Sequence, residues 1–430
     1  MVTKFIKVAI IQSVMRKVYL LILILCLLIG STSAQIGDQR VNDSLQKIWQ
    51  LRYDSIATVK RTEFLKLLKN FPVDSTISVD LRGLQLKQLP DLTIFNRVRT
   101  VYAQNNKISK VPRKLLKIDS LVSLNLSNNE IRRIRFQKNS SIKRLDLSEN
   151  NFRRVPRSIK RLKDLRSLVI SDNEIKRIPR FLKKMNKLND LEINFNQIKF
   201  TKAEVTRLKN IKVLVMAGNN ITELPDNINK LENIKNLNLA KNSLSNLPPS
   251  FALLDSMKIL IFYENEFDHI PLEITSIHSL KTIDFYYNNI NEIPDEIGNL
   301  QNLTMLFLAY NNIEVLPDTL KSLKKLKAFY IHDNSLRYVP EWITDFPDLE
   351  IIDLSFNKLF SIPDMSEMPS LYEVDIQENN IDYIPWKLLD KPNLRLLLIR
   401  GNPFLLDEDD KEELMLKIDE KRAAGIVIVD

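Results

Sequence analysis

The chain has 430 residues, with 63 Lys and Arg against 53 Asp and Glu for a formal charge of +10, and 44% of it is hydrophobic. That balance belongs to a folded body rather than a disordered one. One cysteine, three histidines and seven glycines exclude a disulfide framework, a thiolate metal site and a glycine-rich phosphate loop.

Residues 18–29, VYLLILILCLLI, are apolar; Arg16 and Lys17 precede them, and Ser31, Thr32, Ser33, Ala34 and Gln35 follow. A basic flank, a short apolar run and small residues predict a signal peptide over residues 1–34, cleaved after Ala34. The run is shorter than the about 20 residues of a membrane span. Met15-Arg16-Lys17 would itself make a normal start. A retained anchor and lipidation at Cys26 are the alternatives, but Leu25 is bulky where lipidation wants a small residue. Cleavage would leave no cysteine, and so no thiol nucleophile. Over residues 35–75, Leu45, Ile48, Leu51, Ile56, Val59, Phe64, Leu67 and Leu68 recur at loosely helical spacing until Pro72. This predicts a helical N-terminal cap, with a charged linker as the alternative.

A fixed period then takes over. Residues 303–323 read LTMLFLAYNNIEVLPDTLKSL, with apolar residues at Leu303, Leu306, Leu308, Ile313, Leu316, Leu320 and Leu323. Shifting by 23 residues returns Leu326, Phe329, Ile331, Asn334, Leu336, Val339 and Pro340 in one direction. In the other it returns Leu280, Ile283, Phe285, Asn288, Ile290, Ile293 and Pro294. Leu306-x-Leu308 is a period-2 strand with one face inward, and Ile313 and Leu316 return to the same interior. One such turn closes no core; stacked turns do, with their strands in a parallel sheet.

The frame holds one polar position, at Asn106, Asn129, Asn150, Asn173, Asn196, Asn219, Asn242, Asn265, Asn288, Asn311, Asn334, Asn357, Asn379 and Asn402. That gives 14 repeats and a degenerate first in which Leu84 takes the slot, with the spacing reduced to 21 before Asn150 and 22 before Asn379. Where the chain leaves a strand, backbone groups lose ladder partners, and an amide side chain offers two donors and an acceptor to replace them. The spacing therefore predicts a buried asparagine ladder. Pro225, Pro248, Pro271, Pro294, Pro317, Pro340 and Pro363 each follow an inward residue, placing the irregular return opposite the sheet.

These residues resemble leucine-rich repeats of the 23-residue LPxxIxxL type, similar to Ras-pathway scaffold repeats and plant intracellular Ras-group-related repeat proteins. The resemblance covers residues 76–404. It implies an α/β fold: a right-handed leucine-rich-repeat solenoid, or horseshoe, with a continuous parallel sheet on the concave face. Short helical or irregular convex returns and terminal caps would complete it. It also implies a protein-binding role.

Two surfaces are then available. From Glu130 to Lys187 there are 19 Lys and Arg against 6 Asp and Glu, a net of +13, so the rest of the chain is slightly acidic. Arg133, Arg154 and Arg177 share one frame position in three successive turns, and Arg157 and Arg180 share another. Like charges in a row repel and are relieved by anions. A solvated face is one reading; the other is contact with a polyanion or an anionic membrane surface. Nucleic acid is disfavoured, since no groove-reading helix or aromatic-interleaved basic motif accompanies the row.

On the concave side, the non-inward strand positions gather Ile261, Tyr263, Tyr286, Tyr287, Phe307, Tyr310, Tyr330, His332, Asp353 and Phe356. They are expected to be exposed and to form a partner-binding patch, because large apolar surface and Tyr favour interfaces. Rings that merely pack on one another are the alternative. His332 has no Ser or Cys beside it in the frame and reads as a surface histidine. After Asn402, residues 405–430 predict a C-terminal cap: a charged helix from Asp407 to Lys421, then a short strand at Ile426-Val427-Ile428-Val429.

No catalytic constellation, cofactor motif or metal-ligand spacing is present in the sequence. The expectation is an exported, non-enzymatic binding protein with a protein ligand. It would be secreted, periplasmic or at the cell surface, in a bacterial setting. A cytoplasmic scaffold is the outcome if the leader is not used.

Overall fold

The computed structural model describes residues 59, 61–66, 68, 70, 74–138, 141–383, 386–405 and 408–429. The leader, Cys26 and most of the expected N-terminal cap lie outside them. The chain divides into two compact units, Met1–Glu63 and Phe64–Asp430, and the description below concerns the second. That unit begins at Phe64, inside the segment read as the cap.

Sixteen three-residue strands form one parallel sheet in chain order. The first is β1 (Ser78–Asp80) and the last is β16 (Val427–Val429). The functionally relevant run is β9 (Ile259–Ile261), β10 (Thr282–Asp284), β11 (Met305–Phe307), β12 (Ala328–Tyr330), β13 (Ile351–Asp353) and β14 (Glu373–Asp375). β15 (Leu396–Leu398) joins this run to β16. Register follows the frame: Asp284 lies beside Phe307, Phe307 beside Tyr330, and Tyr330 beside Asp353.

The middle residue of each strand points inward and is buried, as at Ile283, Leu306, Phe329 and Ile352. The two flanking residues point out. Beneath β9 and β10 the core is aromatic: Phe262 lies 4.9 Å from Phe267 and 5.4 Å from Phe285, ring centre to ring centre. Fully burying a side chain of this kind contributes about 1.5–3 kcal/mol, and each turn repeats the burial.

Proline sets the returns. The carbonyls of Pro225, Pro248, Pro294, Pro317 and Pro340 each accept the N–H three residues on, at 2.8–3.1 Å, and this starts a 3-10 turn. Its fixed φ suits such a start, and its missing N–H is not needed there. One return is a full helix, α1 (Lys202–Arg207), whose N-cap Thr201 accepts from the Ala203 N–H. α2 (Leu272–Thr275) and α3 (Trp386–Leu389) are single turns.

The two shortened repeats lose return rather than register. Among the described residues no helix forms between Asn129 and Arg144, or between Asn357 and Glu373, yet their strands pair in frame. In the second, the buried Lys391 Nζ donates to the carbonyls of Ser366 and Met368. At the C-terminus, α4 (Glu408–Ala423) buries Leu414 and Ile418 and exposes Leu416, since residues four apart share a helix face. No described helix is long and apolar enough to cross a membrane.

Candidate functional site on the outward sheet face

The asparagine column fixes the backbone on which the site stands. Asn242 Nδ2 donates to the carbonyls of Met216, Leu239 and Ala240, and its Oδ1 accepts from the N–H groups of Asn219 and Ile221. One side chain thus joins its own turn to the preceding one. Twelve of the fourteen are buried; Asn173 and Asn402 are half-buried and make the same inter-turn bonds.

The residue before each ladder Asn adopts a left-handed conformation. φ is +55° at Tyr287, +53° at Tyr310, +50° at Asp333 and +51° at Phe356. Such a φ is uncommon outside Gly, Asn and Asp, and for a bulky ring it carries strain of about 1–3 kcal/mol. The sequence contains the signal: Gly83, Gly218, Asn105, Asn128, Asp172 and Asp333 all stand in this column. The frame reading placed Tyr287, Tyr310 and Phe356 of this column on the outward face but did not anticipate its left-handed backbone.

Five rings form one cluster there. Tyr287 stacks on Tyr310 at 4.0 Å, and Tyr286 lies 4.9 Å from Tyr287 and 5.1 Å from Tyr310. Tyr263 joins from the turn after β9 at 5.7 Å from Tyr286, and His332 lies 5.4 Å from both Tyr286 and Tyr310. Beside this cluster Phe307 and Tyr330 stack at 4.9 Å with planes 3° apart. Ile261 lies next to Asp284 in the same row.

The expectation of exposure is corrected. Among the expected patch residues only Tyr287 (41%) and Phe356 (49%) are exposed. The others are half-buried, the aromatic ones because their rings lie on one another, and Phe356 stands outside the ring cluster. The patch is therefore a packed pad of mutually contacting rings.

His332 is held within it. Its Nε2 lies 3.1 Å from the Tyr286 hydroxyl, and its Nδ1 lies 2.8 Å from Asp353 Oδ2, out of line for a hydrogen bond. Three phenols of the cluster are pushed above their ordinary value. A hydrogen bond with Tyr287, then burial and Asp333, pushes the Tyr310 phenol well above its ordinary value. Burial, with the nearby carboxylates, raises Tyr286. Glu264, accepting from Tyr263, pushes that phenol up to about 12. Burial pushes the Asp284 carboxyl up to about 6 and raises Asp375 as well. The pad offers neutral rings, phenol donors and carboxylate acceptors. Among the described residues no group of three or more His, Cys, Asp or Glu side chains is placed to hold a metal ion.

The basic residues lie elsewhere. Arg133, Arg154, Arg157, Arg177 and Arg180 are exposed on the returns. Arg157 opens the 3-10 turn Arg157–Arg161, and Arg180 opens the next, Arg180–Lys184. The row neighbour Arg153 is instead tied to Glu174 at 3.0 Å.

Family models described as Leucine rich repeat match residues 140–198 and 279–300. No curated protein matches the chain. Among solved structures, a leucine-rich-repeat protein of Leptospira interrogans superimposes with a TM-score of 0.70 at 24% identity, over 85% of this chain and 98% of that one. An internalin from Listeria monocytogenes gives 0.56 at 17% identity, covering 78% of this chain and 88% of its own. The plant peptide hormone receptor RGFR1, in complex with RGF2, gives 0.53 at 24% identity, covering 76% and 59%. At these identities the likeness is one of fold. With its repeat frame, its single open parallel sheet and these matches, the chain is a leucine-rich repeat protein.

Proposed function

We propose that the chain is an exported, non-enzymatic binding protein that holds a protein or peptide partner on the outward sheet face between β9 and β14. Leucine-rich repeats in general serve protein–protein interaction, and a solenoid offers one long continuous surface for it. The observation that carries the reading is the packed tyrosine pad with His332 and Asp353 locked into it. Rigid aromatic surface with polar tips binds at low entropic cost and dominates interface energetics. A structure of the same fold has been solved with a peptide hormone receptor's ligand in place, RGFR1 with RGF2. Export rests on the sequence of residues 1–34, and N-terminal sequencing of the secreted chain tests it.

The test of the site is a paired pull-down. Partners recovered by the wild-type chain are lost with Tyr286→Ala/Tyr310→Ala while the circular dichroism spectrum stays unchanged. Undiminished recovery by the folded variant overturns the site.

A second reading, anion binding on the returns, is favoured by the exposure of Arg133, Arg154 and Arg177, which form no ion pair among the described residues. A polyanion or an anionic membrane surface would be the partner there.

A further inference from the structure

Resting on the reading of the outward face as a binding surface, we propose the chemistry of its occupant. It is an extended peptide segment with two basic side chains about four residues apart, laid across β10 to β13 with apolar side chains between them.

The row nearest the end of each strand supplies the geometry. Parallel register places Asp284, Phe307, Tyr330, Asp353 and Asp375 side by side, one per strand. Strands lie ~4.8 Å apart, so Asp284 and Asp353 are separated by about 14 Å, a distance that an extended chain crosses in about four residues. Between the two carboxylates stand the parallel rings of Phe307 and Tyr330. The row reads acid, ring, ring, acid, acid.

Charge decides the sign of the partner. At the outward-facing positions of β10 to β14 and the turns that follow them stand six carboxylates, Asp284, Asp333, Asp353, Glu373, Asp375 and Glu378, and no Lys or Arg. The nearest lysines, such as Lys281 and Lys327, stand one residue before their strands, roughly 10 Å along the chain from this row, and Lys327 is tied to Glu350 at 2.6 Å.

The fold does not account for the charge. Each of these aspartates ends its strand by accepting the N–H two residues on: Asp284 from Tyr286 at 2.9 Å, Asp353 from Ser355 at 3.1 Å, Asp375 from Gln377 at 3.0 Å. Asn125 and Asn238 make the same bond to Ser127 and Ala240 at 2.9 Å. A neutral amide therefore serves as the cap. The negative charge at Asp284, Asp353 and Asp375 is surplus to it and has no Lys or Arg partner among the described residues; the one imidazole beside the row, His332, lies with its Nδ1 2.8 Å from Asp353 Oδ2. Half-buried carboxylates flanked by Ile261, Phe307 and Tyr330 are poorly hydrated, and an incoming ammonium or guanidinium would restore what water no longer supplies. Stacked rings beside them favour a cation's alkyl stem and its charged head alike.

The experiment uses the full chain and three labelled synthetic peptides in fluorescence anisotropy. One has lysines four residues apart with leucines between, one has glutamates in their place, and one has the two lysines adjacent. The spaced-lysine peptide binds, weakens steeply with salt, and loses tenfold or more in affinity for Asp284→Asn/Asp353→Asn, which keeps both caps. The glutamate peptide does not bind, and the adjacent-lysine peptide binds at least severalfold more weakly. Equal binding of the glutamate peptide, no binding of the spaced-lysine peptide, or indifference to the double asparagine variant overturns the cationic class. Equal binding of the adjacent-lysine peptide overturns the spacing. A ligand selected from a charge-blind peptide library separates the two levels. If it binds wild type and is lost with Tyr286→Ala/Tyr310→Ala, the face survives the failure of its proposed occupant; if no ligand depends on those tyrosines, the face itself falls.

Discussion

At the scale of the residue, one amide side chain ties two turns of the fold together. Asn242 satisfies three carbonyls and two N–H groups that belong to two different turns. Asn242→Ala leaves those buried groups without partners and is expected to cost about 1–3 kcal/mol, read as a lower urea midpoint; an unchanged midpoint contradicts the ladder's role. Asp284 behaves in the opposite sense. Its folded-state value of about 6 lies above its ordinary 3.8, so ionisation opposes folding. Its favourable contribution is fully present below 3.8 and is lost as pH rises through about 6. Asp284→Asn should therefore raise stability at pH 7 by about 1–3 kcal/mol, given that the carboxylate keeps some water. Below its ordinary value the two proteins should melt alike. The ladder was legible in the sequence because every member keeps its place in the frame. The left-handed column beside it was equally periodic, but rings at Tyr287 and Tyr310 masked the glycines and asparagines that define it. The half-burial of the pad entered only as the alternative in which rings pack on one another, since contacts between rings on successive turns depend on side-chain angles that no spacing encodes.

At the scale of the element, strands and returns divide the labour. Three-residue strands show no more alternation within one turn than Leu306-x-Leu308, and the period across turns made them visible. The returns share no helical period, so their 3-10 character was hidden; only the prolines marked where each begins. The missing 3-10 turns in the two short repeats follow from length alone, since two or one fewer residues remove a turn while leaving the strand pairing intact. The basic returns form the other element-scale unit. Arg133, Arg154 and Arg177 stand on three consecutive returns, and a repeated cation attracts a polyanion more strongly than separate ones do. Arg133→Glu/Arg154→Glu/Arg177→Glu is expected to abolish retention on heparin at low salt, with wild-type retention fading as salt rises. Equal retention of the triple variant would leave the row as a solvated surface.

Over the whole molecule, the excess positive charge lies on the returns of residues 130–187, and the carboxylates lie on the sheet face from β10 to β14. Salt separates the two binding readings only in part, because a cationic peptide on the acidic row and a polyanion on the arginines both weaken in it; the variants above separate them fully. The family models recognise residues 140–198 and 279–300, whereas the sheet runs from Ser78 to Val429. Any apolar side chain of suitable size fills an inward position, as Met216, Phe285 and Ile331 do, so the frame persists where residue identities have drifted.

Because each strand meets the next without slippage, the outward surface works as a two-coordinate grid. Place within the repeat gives height on the sheet, and turn number gives position along it. Deleting or duplicating one whole unit would slide the tyrosine pad relative to the arginine row by a single rung, about 4.8 Å, without redrawing either. The distance between the two patches is thus counted in whole repeats, a dial on which recognition could be reset by unequal recombination alone.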